Sequence, residues 1–355
     1  MRFELNEVEK EKLVSLFKQH ENNIDYMLFL RDMVWNNPGI KPYKFKDKNK
    51  FEKRSSFIDE LLKNRPTDNE FVKKNIRWDT NLIDIDEFNN NPYLKALNNL
   101  SFESGDWSLN QKTLKAYSLF PYEEEYHYGG NSILKMSLGF FDSDYTYPTI
   151  SLCDNEWMSL NPFEIRTMQI PIQIAKGKVL TLGLGLGYFA YMAHLKDDVK
   201  EVHIVEMDLE LINNFKKYLL PLFPHPEKIH IHKADAFYFI KNIKDKDYDF
   251  IFSDLWHDAS DGLPMYLKLK EHFDSFKVTK RMYWIEGSIT TYLRTLIVGV
   301  INDEYYHFEN EYDEIQLTIK NSLKNFVLHD SYELDALLSL QGIKSLYLSN
   351  KYLNI

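Results

Sequence analysis

A single cysteine, Cys153, stands among 355 residues, so no disulfide can close within the chain and an oxidising compartment would have no visible use. Nowhere does an apolar run reach the roughly 18 to 20 residues that crossing a bilayer requires. The charged opening MRFELNEVEKEK lacks the apolar core of a secretory leader. Basic residues are in the minority: 43 Lys and Arg against 53 Asp and Glu leave a formal charge of −10 and a pI near 5.6, which opposes long-range attraction to polyphosphate. These shortages predict a cytoplasmic protein with no membrane partner and with nucleic acid disfavoured. No G-x-S-x-G elbow is present, and Cys153 has no local activating signature, so nucleophilic catalysis has little support. Internal repeats and low-complexity blocks are also missing.

What the chain does have is ordinary globular composition, 44% hydrophobic and 27% charged, with an excess of Tyr and Phe. Its length exceeds one typical domain. Three regions follow from the patterning. Residues 1–100 carry apolar positions at steps of three and four, read as helices: one pair spans Glu4 to Asn36 and stops at Pro38 and Gly39, and others cover Ser56–Asn64 and Asn69–Ile76. Residues 101–161 change to short aromatic and β-branched runs such as YTYPTISL, the mark of a small antiparallel β region. Residues 162–355 alternate short apolar strands with helical stretches and end in further helices. The expected fold is α/β, a Rossmann-like doubly wound and mainly parallel sheet with a small β region and an N-terminal helical extension.

The most informative segment runs strand, glycine turn, helix, strand: KVLTL, then Gly183-Leu184-Gly185-Leu186-Gly187, then YFAYMAHL, then EVHIVEM. Glycines allow a tight turn and bring a ligand close to backbone N–H groups at a helix start. Nineteen positions after Gly187, Glu206 lies where a carboxylate can accept hydrogen bonds from the hydroxyls of a ribose. A dinucleotide site wants a small residue where Tyr188 stands, and the spacing is G-x-G-x-G instead. Asp235, after the strand KIHIH, has the chemistry to accept from an adenine amino group, with Phe237 near enough in sequence to cover a base. Asp254 closes the fourth strand, YDFIFSD, at the end of the sheet where open α/β folds place ligands.

The runs VLTLGLGLGYFA, VHIVEMD, KADAFYFI and YDFIFSD, with DNEWMSLNPFEIRTM upstream, resemble class I S-adenosylmethionine-dependent methyltransferases and, more closely, their spermidine-synthase-like branch. The resemblance spans Lys115 to Pro264. It implies that Gly183, Gly185 and Gly187 cradle S-adenosylmethionine or its decarboxylated form, that Glu206 holds the ribose and Asp235 the adenine, and that Asp254 heads a D-x-x-D-P segment. Here the chain departs from the pattern, with His257 in the place of the second aspartate and Asp258 in that of the proline.

Methyl transfer to an unidentified small-molecule or protein acceptor is therefore the main expectation. Aminopropyl transfer from the decarboxylated cofactor to an amine is the alternative, and a non-catalytic nucleotide-binding or regulatory protein the second alternative. Asp254, His257 and Asp258 are the expected positioning or proton-accepting groups, Trp157 and Glu164 the residues that close over the acceptor, and Trp256 the floor of its pocket. His203, His230 and His232 sit on strands with no Cys or H-x-x-x-H helix beside them, so no metal is expected. Assembly into a homo-oligomer stays open.

Overall fold

A computed structural model of the chain describes residues 1–36, 40, 45, 47–125, 135–256, 259–339 and 342–343. At its centre is a five-stranded sheet, labelled in chain order β1 (Gly177–Leu182), β2 (Val199–Glu206), β3 (Ile229–Lys233), β4 (Phe250–Ser253) and β5 (Lys280–Tyr283). Its spatial order is β3-β2-β1-β4-β5 and every pairing is parallel. The chain thus winds outward from β1 in one direction and returns to build β4 and β5 in the other. This is the doubly wound arrangement, and its switch point lies between the tips of β1 and β4.

Alternation along the strands explains why the sheet is buried on both sides. Val179, Val202, Ile204, Phe250 and Phe252 face a core that includes Tyr188, Phe189 and Ala190 of the helix Tyr188–His194. Leu180, Leu182, Val205 and Ile251 face the other core with Ala236, Ile240, Leu263 and Leu269. Successive strand residues point to opposite sides, so continuous apolar runs are the signature of strands covered twice. The fifth strand ends at Tyr283, and Glu286 opens the helix Glu286–Tyr306.

The small β region is a four-stranded antiparallel sheet, Phe102–Ser104, Trp107–Leu114, Tyr145–Leu152 and Asn155–Ser159. A second sheet joins Thr80–Leu82 in parallel to Lys135–Phe140, which also pairs with Phe120–Glu125.

The N-terminal helices differ from expectation in one respect: Glu7–Trp35 is a single helix of 29 residues, about 43 Å long at 1.5 Å per residue. The interruption in its apolar pattern is a change of partner. Leu13, Leu16 and Phe17 pack into the core of the C-terminal helices, with Phe17 5.7 Å from Tyr305 between ring centroids. Tyr26, Leu30 and Met33 join a separate core with Phe57, Leu61, Val72 and Ile76 from the helices Lys50–Asn64 and Glu70–Asp79. His20 lies buried between the two sets.

Asparagine has a clear use here. Asn6, Asn49, Asn69, Asn91 and Asn161 each begin a helix with the side chain accepting a backbone N–H, which satisfies one of the donors a helix start leaves open. At Asn49 the arrangement is a full capping box with Glu52. Among the described residues no helix is long and apolar enough to cross a membrane.

Candidate functional site

The glycine turn links β1 to the helix Tyr188–His194, and all three glycines adopt positive φ: 98° at Gly183, 50° at Gly185 and 75° at Gly187. Side chains are strained there whatever the surroundings. The surroundings are also full. A Cβ on Gly183 would run into the backbone carbonyl of Asp254, one on Gly185 into Met158 Sδ, and one on Gly187 into the ring of Phe215. Gly183 therefore lets the tips of β1 and β4 meet at the switch point. Phe215 comes from the helix after β2, where a π turn over Phe215–Leu219 follows Leu209–Asn214.

Two supports of this turn were not visible in the sequence. Asn91, the cap of the short helix Pro92–Leu97, donates from Nδ2 to the Tyr188 hydroxyl at 2.8 Å. The Tyr93 hydroxyl donates to the carbonyl of Leu186, and its ring lies 4.5 Å from that of Tyr191. Tyr188, the bulky residue that argued against a dinucleotide, is thus a buried hinge pin tied to the N-terminal region. No local motif announces Asn91 or Tyr93, because their partners are more than ninety residues away in sequence.

Glu206 sits at the end of β2 beside the turn. Its Oε2 accepts from Leu184 N at 3.2 Å, while Oε1 accepts from Met207 N at 2.7 Å and Asp208 N at 2.9 Å. A carboxylate offers about four lone-pair directions, so the group is oriented by the backbone and still has capacity for a hydroxyl. Asp208 caps the following helix through Leu211 N, which leaves Glu206 out of that duty. Asp235 is exposed and caps Ala236–Ile240, its Oδ1 accepting from Tyr238 N at 2.8 Å. Met207 and Tyr238, next to these two acids, are exposed apolar surfaces. Phe237 instead lies under Lys268, whose Nζ is 4.5 Å from the ring centroid.

A second pair of acids gathers at the tip of β4. Asp254 is raised to about 7 by burial. Glu164, in the first turn of the helix Pro162–Thr167, is raised to about 8 by burial and then by the negative charges of Asp254 and Glu156. Glu164 and Asp254 are therefore close enough to feel each other, and among the described residues neither forms an ion pair with a cation. Taking a carboxylate out of water without a cation favours its protonated form. Asn161 positions Glu164 by capping this helix at Glu164 N, 3.0 Å away.

The other expected residues are distributed unevenly. Trp157 is the extra residue of a β-bulge, where Met158 pairs with Ile150 and Glu156 with Ser151. It is exposed, with its ring edge-on to Trp107 at 5.8 Å. Bulges re-aim side chains near sites, and this one carries Met158 onto the glycine turn, where Sδ lies 3.3 Å from Leu186 N. Trp256 is buried in the core beside Leu263 and Ile285, its indole N–H without a hydrogen-bond partner among the described residues. His257 and Asp258 lie outside the described residues. Away from the tips, Glu201, His203 and His230 converge in the lower part of β2 and β3.

Residues 168–280 match the Spermine/spermidine synthase domain family, a span that runs from before the glycine turn to the start of β5. Among solved structures, the spermidine synthase of Thermotoga maritima is similar at 13% identity, covering 55% of this chain and 61% of its own length with a TM-score of 0.32. A spermidine synthase in complex with the transition state analogue AdoDATO gives 14%, 55%, 62% and 0.34 in the same order. A probable spermidine synthase from Corynebacterium glutamicum gives 16%, 44%, 52% and 0.28. No curated protein gives a significant match. The spermidine-synthase-like resemblance of the sheet segment thus recurs in the family match over residues 168–280.

Proposed function

We propose that the chain is an aminopropyltransferase, moving the aminopropyl group of decarboxylated S-adenosylmethionine to an amine acceptor. The family match over residues 168–280 carries this reading; it displaces methyl transfer as the leading reading and promotes what the sequence offered as the alternative. The paired acids at the tip of β4 support it chemically.

The residues present suit an adenosyl group. Glu206 is held against the glycine turn with acceptor capacity to spare for ribose. Asp235 has Oδ2 beyond the oxygen spent on its cap, for the adenine amino group. Met207 and Tyr238 offer apolar cover on either side. When bound, the decarboxylated cofactor supplies a sulfonium-activated aminopropyl carbon and leaves as methylthioadenosine.

The protein's own tasks are then to hold an amine in line and to take up its proton. A primary amine is mostly protonated at neutral pH and attacks only as the free base. A bound ammonium would favour the anionic form of both raised acids, so Glu164 and Asp254 would hold and orient the cation, and a carboxylate raised to about 7 is suited to accept a proton near neutrality. Once the amine has bonded to carbon, its surplus proton passes to Asp254 and on to solvent.

His257 in place of the second aspartate keeps methyl transfer as the competing reading. Incubation with decarboxylated S-adenosylmethionine and a panel of diamines should release methylthioadenosine in step with a new secondary amine. Formation of adenosylhomocysteine from S-adenosylmethionine, with no methylthioadenosine in the first reaction, would replace the proposal by its competitor. The amine acceptor and any self-association are part of the same proposal, since a small cationic acceptor needs only this chain's acids.

A further inference from the structure

We propose that Glu201 and His203 of β2, with His230 of β3, form a binding site for a divalent metal ion of the zinc class, in which His232 of β3 orients the His203 ring. The register of the two strands places His203 opposite His230 and Val205 opposite His232. Residues two apart on a strand share a face, so Glu201 and His203 project from β2 on the same side as His230 and His232 from its neighbour. The four side chains meet there. His203 Nδ1 is 2.8 Å from His232 Nε2, and His203 Nε2 is 2.9 Å from Glu201 Oε2. The His203 ring is stacked on His232 at 5.1 Å and lies 4.7 Å from His230.

Ligand atoms from Glu201, His203 and His230 all fall within 4.8 Å of one another. Zinc takes imidazole nitrogen at about 2.0–2.1 Å in tetrahedral sites, which sets neighbouring donors roughly 3.3 Å apart. Closing that difference requires rotation of the exposed His230 ring and of Glu201, both of which have room to turn. His232 Nε2 meets Nδ1 of His203, on the opposite edge of the ring from Glu201, so it orients the ring while Nε2 faces the metal position. Two imidazole nitrogens and a carboxylate, with water in the fourth position, suit zinc, nickel or copper better than magnesium or calcium.

Lys178 is the cation that faces the cluster. Its Nζ is 3.7 Å from Glu201 Oε2 and 5.2 Å from the Tyr248 ring centroid, and Tyr248 lies edge-on to His203. A bound metal would compete with Lys178 for Glu201, which tempers affinity. The site lies along the sheet, and β3, an edge strand, would be pinned to β2 through side chains as well as backbone. Its occupancy is independent of the adenosyl acids at the strand tips.

The test uses the full chain stripped of metal, titrated with Zn2+ by calorimetry and with Co2+ by visible absorption. One equivalent should bind, tetrahedral Co2+ should show an intense visible band, and saturating Zn2+ should raise the thermal midpoint. His203→Gln and His230→Ala should each weaken Zn2+ binding by about tenfold or more, while Glu206→Ala leaves it unchanged. His230 is exposed, so its variant decides the matter if the His203 variant does not fold. Absence of Zn2+ binding in the wild type, or one-equivalent binding that survives both histidine substitutions, would overturn the proposal.

Discussion

The acids at the tips of β2 and β3 and those around the tip of β4 are the same chemical group in opposite settings. Glu206 and Asp235 are gripped by backbone N–H donors, three for the first and one for the second. Glu164 and Asp254 are instead withdrawn from water, which raises both, and Glu164 is raised further by the charges of Asp254 and Glu156. A carboxylate held by fixed donors makes a rigid acceptor for hydroxyl and amino groups. One that is buried near another carboxylate makes a proton acceptor tuned near neutral pH. On the function proposed above, recognition falls to one side of the switch point and chemistry to the other.

The largest effect that would sharpen this contrast is expected from Asp254→Asn. Turnover should fall by about 10²–10⁴-fold, the usual contribution of a positioned acid or base, with affinity for the adenosyl ligand nearly unchanged. Collapse of binding with intact turnover of the bound fraction would exchange the two roles. Next is Glu206→Ala, where loss of charge-assisted hydrogen bonds worth about 1.5–3 kcal/mol should weaken adenosyl binding by roughly tenfold to a hundredfold in calorimetry. Unchanged affinity would remove Glu206 from the recognition side.

The pH dependence separates the pairs in a second way. Asp254 is protonated below about 7 and Glu164 below about 8, so kcat/KM should rise through that interval as the acceptors become available. Stability runs the other way. The folded chain holds these protons to higher pH than the unfolded chain, whose carboxylates titrate from ordinary values of 3.8 and 4.5. Their contribution is fully favourable below those values and is lost as pH climbs towards 7 and 8. Asp254→Asn and Glu164→Gln should therefore flatten the decline of the unfolding midpoint between about pH 4 and 8; a slope identical to wild type would mean the acids are not withdrawn from water.

Smaller effects are expected at the glycine turn that both pairs share. Gly187→Ala meets Phe215 and a φ of 75°, and chemical denaturation should show a loss of about 1–2 kcal/mol. Tyr93→Phe removes the bond to the Leu186 carbonyl and should cost about 1 kcal/mol. Should Tyr93→Phe exceed Gly187→Ala, the turn would depend more on the N-terminal region than on its own backbone.

Legibility followed sequence distance. The strands β1 to β4, the glycine turn and the candidate acids Glu206, Asp235 and Asp254 could be read directly, because continuous apolar runs, clustered glycines and strand-end acids are consequences of local geometry. At the helix Ser331–Leu338, Asp330 is the cap and Glu333 accepts from His329 N. The continuous helix Glu7–Trp35 looked like two, since a helix passing between two cores shifts its apolar face just as a break would. Nothing in the sequence pairs Asn91 with Tyr188 or sets Glu164 against Asp254.

The sequence alone was sufficient to specify a doubly wound sheet, its glycine turn and the acids at its strand ends, because each depends on residues within one strand–turn–helix unit. Tertiary structure decided which acids are satisfied by backbone and which are buried together, and it brought Met158 and Tyr93 onto the turn and the strand histidines into one cluster. Burial and electrostatic coupling depend on what the rest of the chain packs around a group, and that is set only when distant segments meet.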